Sequence, residues 1–293
     1  MSHIDIIRRL SQPLSPRPTD VRPELEPLEG IRAVLFDVYG TLLVSASGDI
    51  GLAGEPVRAG AMDEALAAVG CPLRGDGDRA VAVLHAVIKR HHAESPYDFP
   101  EVEIHDVWRD ALNNLHEIQA IETVPDAETV DRLAVEYEMR VNPVWPMPGV
   151  AETLHALHDA NLLLGIVSNA QVFTAELFPA LVGATLDELG FRPALCCWSY
   201  EHRRAKPGTH LYEQAAHALA EIGVECDEVL YVGNDMRNDI APAQRVGFRT
   251  ALFAGDARSL RWRNRDPLVE GVLPGRVVTD LRQIPPMLKL ADI

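Results

Sequence analysis

Five short runs of continuously apolar residues, separated by segments with helical signals, constrain the fold of this chain most. The runs are 34–36, 162–167, 194–198, 229–232 and 250–253. Strands that are apolar along their whole length are typical of parallel sheets covered by helices on both faces. We therefore expect an α/β fold with a doubly wound parallel sheet. The accompanying helices are expected at 149–160, through 176–177, from 206 to about 223, and up to 247.

A long helical stretch interrupts this alternation after the first run. Between Val57 and Arg140, apolar residues recur mostly at spacings of three and four, which predicts roughly four helices. Glycine and proline clusters separate these helices. The predicted division is an α/β core at 29–50 and 146–293 with an inserted helical cap at 51–145.

The first 28 residues are rich in proline. The prolines are Pro13, Pro16, Pro18, Pro23 and Pro27. Because proline has no amide donor and blocks helix formation, the pattern predicts an extended or mobile N-terminal arm at 1–28. Such an arm is a candidate contact in a homodimer.

Composition excludes several classes of partner. The formal net charge of −16 argues against nucleic-acid and anionic-membrane binding, both of which need a basic surface. A small anionic substrate stays compatible, since a local field can oppose the global one. The four cysteines have no metal-type spacing, and no apolar stretch is long enough to span a bilayer. We expect a soluble, cytoplasmic protein with reduced cysteines.

Asp37 ends the first apolar run, and a Gly40–Thr41 turn follows it closely. This order places a carboxylate at the C-terminal end of a buried strand, where open α/β sheets locate their chemistry. A carboxylate in that position can act as a covalent nucleophile.

Further polar residues follow other predicted strands or precede a helix. Ser168, with Asn169 beside it, follows the second run, and its hydroxyl can hold an anionic oxygen. Lys206 precedes a predicted helix whose first turn contains the adjacent proline. Asp235 and Asp239 flank the turn after the fourth run and are able to hold a hard cation. With the nucleophile, these residues predict a site for a phosphoryl or carboxyl group.

These four motifs, in this order, resemble those of the haloacid dehalogenase-like (HAD) hydrolase superfamily. They are Asp37-Val-Tyr-Gly-Thr41, Ser168-Asn169, Lys206-Pro207 and Gly233-Asn-Asp-Met-Arg-Asn-Asp239. The resemblance covers about residues 31–255 and implies a Rossmann-like core with a cap. It also implies a role for each residue. Asp37 would be the nucleophile, Thr41 and Ser168 would contact the oxyanion, and Lys206 would neutralise charge. Asp239 with Asn234 or Asp235 would form the acidic end of the site, and Tyr39, Gly40 and Asn169 would lie beside the substrate.

Tyr39 departs from the pattern of the superfamily's phosphatases, which typically have an aspartate two residues after the nucleophile. That aspartate protonates the leaving oxygen and later activates water. A phenol with a pKa of about 10 is a poor replacement at neutral pH. Loss of general acid–base help typically lowers the rate roughly a hundred- to ten-thousand-fold. Acyl and aryl phosphates, whose leaving groups need less protonation, should suffer least.

Halide needs no proton to leave, so Tyr39 also favours a second reading, a metal-independent 2-haloacid dehalogenase. The Asp-x-Tyr-Gly-Thr form resembles that branch, and Tyr212 lies where the branch has a tyrosine. A dehalogenase also needs a cap arginine to receive the halide. The candidates are Arg58, Arg90 and Arg109, with no signal to choose among them.

The acidic motif favours phosphate instead. Asp37, Asp235 and Asp239, together with the Tyr39 backbone carbonyl, would form an oxygen-rich pocket suited to Mg²⁺. The preferred prediction is a Mg²⁺-dependent phosphatase that forms an aspartyl-phosphate. A third reading is a catalytically degenerate protein that binds a phosphorylated ligand. Specificity should reside in the cap, where His91, His92 and His105 are candidates, and in the small-polar stretch Ser45–Asp49.

Overall fold

Six parallel strands form the central sheet of this protein. The structure, a computed structural model, describes residues 1–46 and 55–289, with side chains in the second range from residue 58. In spatial order the strands are β5 (Phe191–Trp198), β4 (Leu163–Ser168), β1 (Ala33–Phe36), β6 (Val229–Gly233), β7 (Arg249–Phe253) and β8 (Arg276–Val278). All five pairings are parallel, as the apolar runs predict.

The sheet is doubly wound about β1. The chain first builds outward through β4 and β5 and then, on the other side of β1, through β6, β7 and β8. Alternate residues of β1 enter different hydrophobic clusters, so that Val34 and Phe36 pack on one face and Ala33 and Leu35 on the other. The order of the strands leaves a crevice beside the carboxyl end of β1, where β4 and β6 flank it.

Ten α-helices are described. They are α1 (His3–Leu10), α2 (Glu55–Ala68), α3 (Gly77–Glu94), α4 (Ile104–Glu117), α5 (Ala127–Val141), α6 (Val150–Asp159), α7 (Ser199–His202), α8 (His210–Ala220), α9 (Ala241–Val246) and α10 (Ile284–Met287). Helices α2–α5 form the predicted helical insertion. Carboxylates at Asp76, Glu103 and Asp126 cap α3, α4 and α5, accepting hydrogen bonds from amides that the first turn leaves unpaired.

A short pair of antiparallel strands marks where the chain leaves the core for the helical insertion and returns. The two strands are β2 (Leu43–Ser45) and β3 (Val144–Pro146). The two connections therefore lie side by side. From residue 47 onward, the predicted small-polar stretch and the predicted boundary at 50/51 lie outside the described residues.

The N-terminal arm departs from its prediction in part, because it begins with helix α1. This helix precedes the first proline and has a capping box between Ser2 and Asp5. Its Ile6 and Ile7 are buried, and it packs against α5 and the segment 178–182. Farther along, the arm is extended, and the Arg17 amide donates to Asp256 Oδ1 at 2.9 Å.

Two predicted helices also differ in the structure. The segment expected to be helical through 176–177 forms a 3₁₀ turn (Val172–Glu176) and a π turn (Phe178–Val182). Helix α8 begins at His210, so that Pro207 lies in a turn before the helix rather than in its first turn. The backbone of this turn is held by other parts of the chain, with Ala205 donating to the Phe99 carbonyl at 2.8 Å. Tertiary contacts override the local proline signal here.

All four cysteines carry free thiols. Among the described residues, no helix is both long and apolar enough to cross a membrane.

Candidate active site

Three strands of the core bring the predicted motifs together at one edge of the sheet. Asp37 directly follows β1, Ser168 ends β4, and Asn234 follows β6. Because β4 and β6 both pair with β1, these residues meet in the crevice that the strand order creates.

The carboxylate of Asp37 is fixed through only one of its oxygens. Oδ1 accepts hydrogen bonds from Ser168 Oγ at 2.8 Å and from Lys206 Nζ at 2.7 Å. Oδ2 has no hydrogen-bond partner among the described residues, and Asp37 lines a pocket with Tyr39 and Asn169. One oxygen is thus held in place while the other is available to a substrate, as a nucleophile requires.

Lys206 joins two carboxylates at the floor of the pocket. Its Nζ donates to Asp37 and, at 2.6 Å, to Asp239 Oδ1. Burial alone would lower the pKa of this lysine, but the two carboxylates outweigh burial and raise its pKa. Lys206 therefore stays charged and offsets part of the repulsion between the neighbouring carboxylates, although burial still raises the pKa of Asp239. The hydroxyl of Tyr231, at 3.0 Å from Asp239 Oδ1, completes this buried network.

Asn169 forms two hydrogen bonds with the backbone of Lys206. Its Oδ1 accepts from the Lys206 amide at 2.8 Å, and its Nδ2 donates to the Lys206 carbonyl at 3.3 Å. The paired amide bonds fix the backbone of Lys206 and so aim its ammonium group. Asn169 also lines the pocket, where a substrate contact was predicted.

Tyr39 lines the pocket, and its hydroxyl lies 3.0 Å from the Thr174 hydroxyl. Burial, reinforced by the negative charge of Glu138, raises the pKa of Tyr39 well above its usual range. The phenol is therefore an even weaker acid than it is in water. The structure adds a physical reason to the expectation that Tyr39 does not replace a catalytic aspartate.

Thr41 and Gly40 support the pocket from outside it. Thr41 is fully buried, and its hydroxyl donates to Asn234 Oδ1 at 3.0 Å rather than facing the pocket. Asn234 in turn donates to the Ser259 carbonyl at 2.7 Å. Gly40 has φ +85°, and a Cβ there would lie 2.6 Å from Ser259 Cβ. These residues pack the nucleophile's turn against the segment after β7.

The acidic residues, as arranged here, do not fit Mg²⁺. Asp235 caps the following turn with Oδ1, and its Oδ2 is paired with Arg263. Asp239 accepts from Lys206 through Oδ1 and from the Asp235 amide, at 2.8 Å, through Oδ2. Among the described residues, no group of three or more His, Cys, Asp or Glu side chains is placed to hold a metal ion. A hard cation needs carboxylate oxygens that are not already committed.

The helical insertion contributes His92 and Glu101 to the pocket wall. Burial raises the pKa of Glu101, and Ser199 donates to its Oε2 at 2.7 Å. The predicted histidines His91 and His105 instead pair with Asp110 and Asp131.

The candidate halide arginines do not line this pocket of described residues. Arg58 lies 3.2 Å from His85, whereas Arg90 and Arg109 pair with aspartates of α4. Tyr212 is buried under the site, where its hydroxyl donates to the Asn238 carbonyl at 2.7 Å. The arginine that does line the pocket is Arg261, from the irregular segment after β7, where no sequence motif pointed to it.

A family comparison agrees with this geometry. The model of haloacid dehalogenase-like hydrolases matches residues 31–247, most of the chain. The chain belongs to this family. The match spans every HAD motif described above, from the Asp37 turn to Asp239.

Two curated HAD relatives are phosphoglycolate phosphatases. The protein from Salmonella paratyphi A is 26% identical over 230 residues, covering 75% of this chain and 80% of that protein. The protein from Salmonella typhi is 27% identical over the same length and with the same coverage.

Solved structures show the same fold. A 2-haloacid dehalogenase from Pseudomonas syringae pv. Tomato DC3000 matches with a TM-score of 0.57 at 22% identity, covering 88% of this chain and 98% of that one. A HAD phosphatase from Thermococcus onnurineus matches with a TM-score of 0.53 at 18% identity, covering 90% and 100%. These likenesses support a HAD core that carries a cap.

Proposed function

We propose that this HAD-like hydrolase is a phosphatase acting on a small anionic metabolite through a phosphorylated Asp37. The observation that supports the proposal most is the asymmetric setting of Asp37. Its Oδ1 is held by Ser168 and Lys206, whereas its Oδ2 faces the pocket with no partner in the part of the chain that the structure describes. The curated relatives named above are phosphatases.

In the proposed reaction, Asp37 Oδ2 attacks phosphorus, and the bond between phosphorus and the leaving oxygen breaks. Water then cleaves the aspartyl-phosphate and releases inorganic phosphate. Lys206 screens the charge of the phosphoryl oxygens, and the Ser168 hydroxyl orients the nucleophile. Arg261 is the further cation at the pocket wall, and a guanidinium suits phosphate oxygens.

The proposed leaving group is one that departs without a proton, such as a carboxylate or a phenolate. This follows from Tyr39, whose buried phenol has a raised pKa and no acidic proton to give at neutral pH. The requirement for Mg²⁺ remains a prediction from the sequence. The carboxylates as arranged do not fit the ion, since their oxygens accept hydrogen bonds from Lys206, Arg263 and backbone amides.

Dehalogenation of a 2-haloacid is the second candidate, and the Asp235–Arg263 pair favours it because no metal is then needed. Here Asp37 Oδ2 would attack C2, halide would leave, and water would cleave the resulting ester. The absence of Arg58, Arg90 and Arg109 from the pocket lining counts against it.

One set of assays separates these functions. Phosphate release from p-nitrophenyl phosphate and acetyl phosphate is measured with Mg²⁺ and with EDTA, beside halide release from 2-chloropropionate. Asp37→Asn should lower phosphate release at least about a thousandfold, whereas Asp187→Asn, at an exposed aspartate, should not. Mass spectrometry of acid-quenched protein should find phosphate on the peptide containing Asp37.

Halide release alone would establish the second candidate instead. Absence of both activities, with saturable binding of inorganic phosphate, would leave the third reading, a protein that binds a phosphorylated ligand without turnover.

A further inference from the structure

Arg263 is paired with the carboxylate that a divalent cation would need, that of Asp235. Its Nη2 and Nε donate to Asp235 Oδ2 at 2.7 and 3.1 Å. The other oxygen of Asp235 accepts from the amides of Arg237 and Asn238 at 2.8 and 3.3 Å. Asp235 is 5% exposed, whereas the side chain of Arg263 is 31% exposed, so that water reaches the pair from the arginine side. Both carboxylate oxygens are thus committed to donors of this chain.

The segment that carries Arg263 is tied to the acidic motif by its backbone. The Arg261 amide donates to the Asn234 carbonyl, and the Met236 amide donates to the Arg261 carbonyl, both at 2.9 Å. These two bonds place residues 261–263 alongside residues 234–236. Arg263 therefore reaches Asp235 from an anchored strand-like segment.

The backbone of Arg263 gives a second, independent observation. Its φ is +53°, in the left-handed region that residues with a Cβ rarely adopt. Such a conformation persists only where surrounding contacts determine it, and it is common at functional sites. The turn directs the guanidinium back toward the acidic motif.

We propose that Arg263 is the resident cation of this site and keeps divalent metal ions from Asp235. A guanidinium matches a carboxylate with two parallel donors, and an arginine cannot lose its charge at accessible pH. To bind Asp235, Mg²⁺ must first break the ion pair between Asp235 and Arg263. The two cations therefore compete for one carboxylate.

Which cation Asp235 accepts does not depend on which leaving group Asp37 expels. It follows that the positive charge at this end of the pocket is built into the chain. Catalysis that depends on the positive charges of Lys206, Arg261 and Arg263 is then expected to persist in the presence of a chelator.

The test is calorimetric titration of the full chain with Mg²⁺ alone. Arg263→Gln should bind Mg²⁺ at least about tenfold more tightly than the unmodified chain. Arg282→Gln is the matched control, because it removes an arginine paired with Asp280 away from the pocket. The double variant Asp235→Asn/Arg263→Gln should lose the gain, which locates the ion at Asp235.

Equal Mg²⁺ affinity in the unmodified chain and Arg263→Gln would overturn the inference, as would a gain that survives in the double variant. Circular dichroism and thermal unfolding in EDTA establish that each variant is folded. If Arg263→Gln does not fold, Arg263→Lys replaces it, because lysine keeps the charge but loses the two-donor geometry. A gain in affinity is then expected to be smaller but measurable. The titration needs no turnover, so its result is independent of the phosphatase assay.

Discussion

Gly40 sets a steric limit at the turn after the nucleophile. Gly40→Ala should destabilise the protein, because the new Cβ would lie 2.6 Å from Ser259 Cβ in addition to facing an unfavourable φ of +85°. We expect the clash to add about 1–3 kcal/mol to the free-energy loss. Urea unfolding provides the measurement.

Gly30 offers a matched control for that substitution. Its φ is +78°, and a Cβ there would meet nothing within 4 Å. Gly30→Ala should therefore show only the backbone cost, about 1–2 kcal/mol. Equal losses at the two positions would contradict the packing of Gly40 against Ser259.

Tyr39 is expected to be a packing residue with a polar tip and not a proton donor. Tyr39→Phe removes the hydrogen bond to Thr174 and should cost about 1 kcal/mol of stability. Its kcat should fall less than about tenfold, because general acids are worth about a hundredfold or more. A hundredfold loss of kcat at unchanged KM would instead show that the phenol takes part in proton transfer.

The sequence predicts those site residues that lie at or beside the ends of strands. Asp37, Ser168 and Lys206 meet as expected because each is fixed by a strand end or by a residue beside one. The partner of Asp235 could not be predicted in the same way. Arg263 lies 28 residues farther on (263 − 235), in an irregular segment whose path depends on tertiary backbone bonds.

At the scale of elements, His105 joins the start of α4 to α5. Glu103, which caps α4, accepts from His105, and Asp131 of α5 lies 2.6 Å from its other ring nitrogen. The hydrogen bond with Glu103 is the largest effect on this histidine and, with Asp131, raises its pKa above the usual value. The folded protein therefore holds a proton on His105 more tightly than the unfolded chain.

This shift gives a pH dependence of stability with a definite sign. The stabilisation is fully present below the unfolded pKa of about 6.5 and is lost as pH rises through the raised folded value. Urea unfolding from about pH 6 to pH 9 should thus show the advantage of the unmodified chain over His105→Gln shrinking as pH rises. An advantage that grows with pH would contradict the assignment.

Most elements follow from local patterns, and the exceptions have tertiary causes. The five apolar runs became strands, since a strand buried on both faces needs no alternation. Strand β8, only three residues long, carries too little signal to be seen. The segment through 176–177, which was expected to be helical, forms 3₁₀ and π turns that contact α1.

At the scale of the whole molecule, α1 connects the helical insertion to the core. It packs on α5 and on residues 178–182, and Arg9 forms an ion pair with Glu136 of α5. His3 adds a link to Glu176 of the core at 2.9 Å. The sequence did not predict this connection, because the prolines of residues 1–28 favoured an extended arm, whereas α1 ends before the first proline.

A substitution at Ile7 tests whether α1 connects the helical insertion to the core. Ile7→Ala removes a fully buried side chain at the junction and should cost about 2–5 kcal/mol. Ile222→Ala, at a residue that is 48% exposed, should change stability by less than about 0.5 kcal/mol. Hydrogen exchange would report whether α1 and α5 lose protection together, and similar losses from both substitutions would contradict the role of α1.

The extended part of the arm has a practical consequence for anyone who produces this enzyme. Arg17 and Thr19 pair with residues 254–257, directly before the segment that carries Arg261 and Arg263. Removing the first twenty residues, or fusing a bulky tag close to them, is therefore expected to disturb the segment that forms one wall of the pocket. Catalytic constants measured on a protein shortened in this way should not be taken as those of the unshortened one.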